Sequence, residues 1–205
     1  MVKKTKAQAE QTRQEIITAA RLVFYERGVS RTSLEKVARA AGVTRGAVYW
    51  HFANKAALFF AMREEPLKML EKASAHLASP DLADPLDAIE AFLLEFFTLL
   101  ETSPLLRRTF EIMLLRCEYV DEFAPVLVEV NKPFLGFLAK LRSAYATAAE
   151  KEFMRPGLEP EAMAYDTLSF TTGLFNNWLA GVAGDELRGR TPAMIRSHLA
   201  LRRGD

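Results

Sequence analysis

One cysteine, Cys117, and three histidines, His51, His76 and His198, are all that this 205-residue chain offers to thiol or imidazole chemistry. A single thiol excludes an intrachain disulfide, a thiolate zinc site and a paired-thiol redox motif, and points to a reducing cytoplasm. No apolar run reaches the roughly 18 residues that cross a bilayer, because Glu90, Glu95 and Glu101 interrupt the best candidate around Phe92 to Leu100. The opening Met1-Val2-Lys3-Lys4-Thr5-Lys6 is basic but has no apolar stretch behind it, so no secretory signal is expected. A glycine-rich phosphate loop, a His-Glu-x-x-His metal motif and a nucleophile elbow are missing. The histidines lie on separate segments. The chain therefore reads as a non-enzyme without cofactor or metal.

Net charge is also nearly lacking, at +1, but that figure conceals a division. Residues 1–55 hold 11 Lys+Arg against 4 Asp+Glu, or +7, and residues 56–205 hold 16 against 22, or −6. A basic end suits nucleic acid, an anionic membrane surface or an acidic protein, while the acidic remainder would be repelled by a polyanion. With 50% hydrophobic and 26% charged residues the composition is that of a globular protein, long enough to bury about 70% of its unfolded surface.

Strand alternation is nearly absent and helical periodicity dominates. Ile16, Ile17, Ala20, Val23 and Phe24 recur at helical spacing between Glu10 and Arg27, and Gly28 stops that helix. Thr32 with Glu35 reads as a capping box for a short helix ending at Ala41, with Leu34, Val37 and Ala38 inward. Gly42 supplies a left-handed turn, Thr44 caps a helix from Arg45 to His51, and Asn54 caps another from Lys55 to about Leu77, kinked at Pro66. Later signals predict Leu86–Glu101 after Asp84-Pro85, Leu105 to Cys117 after Ser103-Pro104, and a bent segment from Asp121 to Phe153. Two more follow: Glu161–Ala183, closed by Gly184, and a last helix opened by Pro192. The expectation is an all-α chain of about nine helices, with domains at 1–55 and 56–205.

Leu34 to Phe52 joins two short helices through a glycine turn, the geometry that lets one helix cross a duplex while the next enters the major groove. An ordinary helical hairpin shares that spacing. The charge division and the side-chain types favour DNA. Val43, Val48 and Phe52 would lock the second helix onto the first, leaving Gly46 and Trp50 opposite with Tyr49 on the flank. Arg45 suits guanine or phosphate, Thr44, Tyr49 and Trp50 offer further base contacts, and Lys36 and Lys55 suit phosphates. Lys3, Lys4 and Lys6 form an arm for phosphates or the minor groove. A membrane-surface role is disfavoured, since the short helices need their apolar residues for the local core.

Thr32-Ser33-Leu34-Glu35-Lys36-Val37-Ala38 and Ala41-Gly42-Val43-Thr44-Arg45-Gly46-Ala47-Val48-Tyr49-Trp50-His51-Phe52-Ala53-Asn54-Lys55 resemble the DNA-binding domain of the tetracycline-repressor family. The resemblance covers about Glu10 to Leu58. It implies an all-helical homodimeric repressor whose small-molecule ligand releases operator DNA. By position it adds Ser33 and His51 to the DNA-facing set and places Lys55 on the backbone. The Thr44 to Phe52 wording, with Phe110-Glu111-Ile112 to Glu118 and Gly173-Leu174 to Leu179, is similar to the branch that represses multidrug efflux pump operons.

The acidic remainder carries apolar stripes that either form an ordinary core or wall a broad-specificity hydrophobic pocket. Leu67 precedes them; Ile89, Phe92, Leu93 and Phe96 share one stripe and Phe110, Met113 and Leu114 another, with Cys117 at its end. Phe134, Phe137 and Leu141 form a third, and Leu168, Thr171, Thr172, Phe175 and Asn176 a fourth. Thr172, Asn176 and Glu111 are the candidate polar groups. Met163, Phe170, Leu174 and Trp178 occupy another side of the same helix, which must also be covered, by this chain or by a second copy with Ile195 and Leu199 of the last helix. The expected partners are operator DNA, a small hydrophobic effector and a second copy, with no membrane. Rival readings are a DNA-binding regulator of another gene set without a drug-like ligand, or a small-molecule-binding helical enzyme.

Overall fold

The computed structural model describes residues 5–204, and among them nine α-helices carry the fold. They are α1 (Lys6–Arg27), α2 (Leu34–Ala40), α3 (Arg45–His51), α4 (Lys55–Ser74), α5 (Pro85–Thr102), α6 (Pro104–Leu115), α7 (Ala124–Glu150), α8 (Pro160–Leu179) and α9 (Gly184–Ala200). Short 3-10 turns follow α4 at Ala75–Ala78 and precede α7 at Asp121–Phe123. The only β pairing among the described residues is an isolated bridge between Met154 and Arg203.

Side-chain caps set the helix starts, each contributing about 1 kcal/mol. The Thr5 hydroxyl accepts from the Gln8 N–H while the Gln8 side chain accepts from the Thr5 N–H, so α1 begins ahead of the expected Glu10. Ser33, and not Thr32, caps α2 by accepting from the Lys36 N–H. Thr32 is buried and its hydroxyl donates to the Gly28 carbonyl at 2.8 Å, which removes it from capping. Thr44, Asn54 and Asp84 cap α3, α4 and α5 as their types predict. Gly28 and Gly42 adopt φ of +80° and +66°, a region that only glycine enters without strain.

The last third departs from the sequence reading. α8 ends at Leu179, Gly184 begins α9 instead of closing α8, and Pro192 lies inside α9 instead of opening it. Asp185 and Glu186 sit in the first turn of α9, where carboxylates complement the helix dipole. Burial of Thr191, Ile195 and Leu199 offsets the backbone bond that Pro192 cannot make.

The chain packs as two compact units. The first gathers the described residues through Leu67 with Leu105–Glu129; the second gathers Lys68–Pro104 with those from Val130 onward. In the first, Ile16, Phe24, Val37, Val48, Leu58 and Phe59 form the core, and the Phe59 ring meets Phe123 edge-on at 5.6 Å. The Val29 N–H donates to the Arg116 carbonyl at 2.8 Å and Arg63 donates to the Glu129 carbonyl at 3.0 Å. This unit therefore reaches beyond residues 1–55, because α6 and the segment after it bury against the N-terminal helices. In the second unit α9 packs on α5 and α8 around Leu86, Ile89, Leu93, Trp178, Ile195 and Leu199. α4 passes Pro66 without a break, and the units divide one residue later.

Candidate nucleic-acid interface and effector core

α2 and α3 are held together by their inner faces. Val37 and Val48 are fully buried, Phe52 is nearly so, and the Val43 N–H donates to the Ala38 carbonyl at 3.0 Å across the Gly42 turn. Ala38 is buried where the helices meet. The opposite side of α3 is consequently fixed in solvent. Arg45, Gly46, Tyr49 and Trp50 are all exposed, Trp50 to 73%. A tryptophan left this open buries little apolar area within the chain. Its ring is met edge-on by His51 at 4.5 Å.

Gly46 lies on the same exposed face. A Cβ at this position would meet nothing nearer than the Thr44 hydroxyl oxygen at 3.9 Å, so the fold itself has room for a side chain. Glycine inside a helix costs about 1 kcal/mol relative to alanine. The chain itself supplies no packing reason for glycine at this position, which leaves clearance for a partner to be tested.

The other DNA-facing candidates divide. Ser33 and Thr44 are exposed, with hydroxyls engaged in capping α2 and α3. Lys36 is exposed and its ammonium donates to the Arg31 carbonyl at 2.7 Å. Lys55 stands apart from the expectation that it lies open to a phosphate: its side chain is only 14% exposed, pairs with Glu122 at 3.0 Å and lies over the Phe123 ring. Lys3 and Lys4 fall outside the described residues. The sequence reading gave Glu35 only a capping role; its carboxylate meets Arg45 Nε at 3.0 Å. No spacing rule signals a contact across a turn.

The aromatic stripes of the second unit converge. Phe92 approaches Phe137 at 5.1 Å and stacks with Phe96 at 6.3 Å, and Phe96 meets Phe175 at 5.2 Å. Ile89, Leu93 and Leu141 back this cluster as fully buried residues; Phe134, Phe137, Leu168 and Thr172 are half-buried. The Thr171 hydroxyl is buried with no hydrogen-bond partner. An orphaned hydroxyl in an aromatic wall is costly unless a ligand or water completes it. Asn176, expected to supply a polar group there, is exposed instead, because it lies on the outer face of α8, turned away from Thr171 and Phe175. Leu67, Phe110, Met113 and Leu114 belong to the first unit, where Phe110 and Met113 are buried.

The expected subunit face also needs redrawing. Leu174, Trp178, Ile195 and Leu199 are core residues of a single chain, Ile195 and Leu199 fully so, because they seat α8 and α9 against α5. Met163 and Phe170 are half-buried. The outer sides of the same helices expose Tyr165, Met194 and Leu201. Between them an open cleft of about 420 Å3 is lined by Phe170, Arg190, Met194, Ser197, His198 and Leu201. His198 stacks on Phe170 at 3.9 Å and contacts the Thr167 hydroxyl, which reaches the Tyr145 hydroxyl. Burial, then the Arg202 charge, push the His198 imidazole down to about 4.

Burial pushes the Cys117 thiol up to about 11, against its hydrogen bond with Tyr119, which disfavours the thiolate.

A helix-turn-helix with an exposed aromatic and basic recognition face, joined to a helical domain with an aromatic core, defines a DNA-binding regulator. Residues 16–62 match the family described as bacterial regulatory proteins of the tetR family, and residues 84–203 match the C-terminal region of MAATS-type transcriptional repressors. The chain belongs to this family of transcriptional repressors, and is a regulator and not an enzyme. It is 37% identical over 183 residues to the HTH-type transcriptional regulator TtgR of Pseudomonas putida, covering 87% of this chain and 85% of that protein. A solved structure of NalD, the secondary repressor of the MexAB-OprM multidrug efflux pump in Pseudomonas aeruginosa, superposes with a TM-score of 0.85. It has 33% identity and covers 98% of this chain and all of the other. The complex of SmeT with triclosan matches with a TM-score of 0.84 and 27% identity over 95% of this chain and 93% of that one. SmeT is the repressor of the Stenotrophomonas maltophilia multidrug efflux pump SmeDEF.

Proposed function

We propose that this chain represses a multidrug efflux pump operon in the cytoplasm by binding a palindromic operator as a homodimer, and that small hydrophobic molecules release it. The solvent-fixed face of α3, with Trp50, Tyr49, Arg45 and the open Gly46, is the observation that carries the reading. Arg45, Tyr49, Trp50 and Thr44 read the major groove, Ser33, Lys36 and His51 flank them, and Lys3, Lys4 and Lys6 add phosphate contacts, Lys6 from the first turn of α1. Lys55 joins the phosphate contacts only by exchanging its Glu122 partner.

The effector enters the aromatic wall of Phe92, Phe96, Phe137 and Phe175, with the Thr171 hydroxyl as its polar anchor. The triclosan complex of SmeT supports an aromatic, lipophilic class of ligand. The dimer forms through the outer faces of α8 and α9, where Tyr165, Phe170, Met194 and Leu201 bring apolar surface and Ser169, Gly173, Ala193 and Ser197 are small enough for close approach. Half-sites then repeat about one helical turn apart, or roughly 34 to 36 Å if adjacent groove faces are used.

Release follows from linkage: an effector shifts the DNA-bound state by no more than its preference for a conformation whose recognition helices are badly placed. α4 begins at the helix-turn-helix and continues past Pro66 into the second unit, which makes it the lever. Within the first unit the Val29 N–H bonds the Arg116 carbonyl just after α6, and the Arg63 guanidinium on α4 bonds the Glu129 carbonyl. A gel shift on the DNA upstream of the gene, titrated with lipophilic drugs and with salt, tests the whole reading. Retarded DNA that no compound releases would leave a DNA-binding regulator without effector control; no retardation at low salt would sink the reading.

A further inference from the structure

We propose that Glu35 sets operator specificity by holding Arg45 through Nε, which commits the arginine to reading a guanine and withdraws it from the phosphates. The inference rests on the DNA-binding reading and goes beyond it, because Glu35 lies on α2 and would itself touch no base.

Three contacts fix the pair. The Glu35 carboxylate meets Arg45 Nε at 3.0 Å. The Arg45 guanidinium lies over the Tyr49 ring at 5.2 Å, so its plane is held from a second direction. Glu35 sits in the first turn of α2, where its own backbone N–H and then the Ser33 side chain, with Arg45, hold its carboxyl below the usual carboxylate range.

Stability does not explain this arrangement. Arg45 and Glu35 are 64% and 43% exposed, and ion pairs in solvent contribute little. Phosphate binding does not explain it either. Attraction to a phosphate scales with net charge, and a carboxylate 3.0 Å away cancels most of what Arg45 would offer. A base edge requires geometry more than charge. Guanine presents O6 and N7 to two parallel N–H donors, and a guanidinium held at Nε keeps both terminal amino groups for that fork. Ordering the side chain before DNA arrives removes part of the entropy loss of ordering it in the groove.

The test is selection of bound duplexes from a randomised double-stranded pool, with the full-length wild type, Glu35→Gln, Glu35→Asp and Arg45→Ala, followed by affinity against salt on the selected site. Wild type is expected to select one guanine per half-site that Arg45→Ala loses. Glu35→Gln should weaken that preference roughly tenfold and steepen the salt dependence by about one phosphate equivalent as Arg45 is freed; Glu35→Asp should recover part of the preference. Unchanged thermal melting of Glu35→Gln checks that the fold is intact. If Glu35→Gln tightens binding to all duplexes and keeps the guanine, Glu35 is only a repulsive charge and the proposal falls while the DNA-binding reading stands. If the wild type selects no sequence, both fall.

Discussion

The outer face of α3 and the core of the second unit, proposed to meet DNA and effector, both carry aromatic residues, but under opposite conditions. Trp50 and Tyr49 are exposed and the chain could fold without them; Phe92, Phe96 and Phe175 are buried and hold the second unit together. Function at the first surface is therefore separable from stability, while at the core any change made to affect a ligand also changes packing. Five substitutions, one of them followed across pH, sharpen that contrast.

Phe96→Ala should have the largest effect on stability, because it empties a ring that touches Phe92, Phe97 and Phe175. A loss of about 3 to 5 kcal/mol is expected in denaturant unfolding, and a loss below about 1 kcal/mol would mean that the ring lines an existing void instead of a packed core. Trp50→Ala should reverse the pattern: operator affinity falls by roughly tenfold to a hundredfold, and the melting temperature stays unchanged. A matching loss of stability would break the separation. Gly46→Ala should move the two properties in opposite directions, with α3 gaining up to about 1 kcal/mol of helix stability while operator binding measured by fluorescence anisotropy weakens. Equal or better binding would remove the argument from clearance.

Thr171→Val is the gentlest test of the core. It replaces a buried hydroxyl that has no partner, so stability should hold or rise by about 1 kcal/mol, while calorimetry with a hydrogen-bonding effector shows weaker binding. Reduced stability would mean that a bound water satisfies the hydroxyl. The remaining effect is a pH dependence. The His198 pKa is lowered from 6.5 to about 4, so the unfolded chain takes up a proton that the folded chain resists. Stability from this group is fully present above pH 6.5 and declines as pH falls toward about 4. Thermal melts across that window should slope downward toward acid, and His198→Gln should flatten the slope.

The two regions also differ in how much the sequence disclosed. Gly28, Gly42, Thr44, Asn54 and Asp84 act locally, through backbone preference and caps a few residues away, and their signals placed α1 to α5 closely. The exposed face of α3 was legible for the same reason, since seven residues of α3 have only one way to bury Val48. Signals near Ala183, Gly184 and Pro192 were misread, because dipole complementarity and burial of Ile195 overrode the usual meaning of glycine and proline.

Helical periodicity, the charge division and the wording of the Thr44 to Phe52 segment by themselves determined an all-α repressor with a basic DNA-reading end. Only tertiary structure decided which side of α8 is core, that Asn176 faces outward, that Lys55 already has a partner in Glu122, and that Glu35 holds Arg45. Periodicity along a helix fixes which residues share a face. What that face meets depends on elements distant in sequence, and no local preference encodes them.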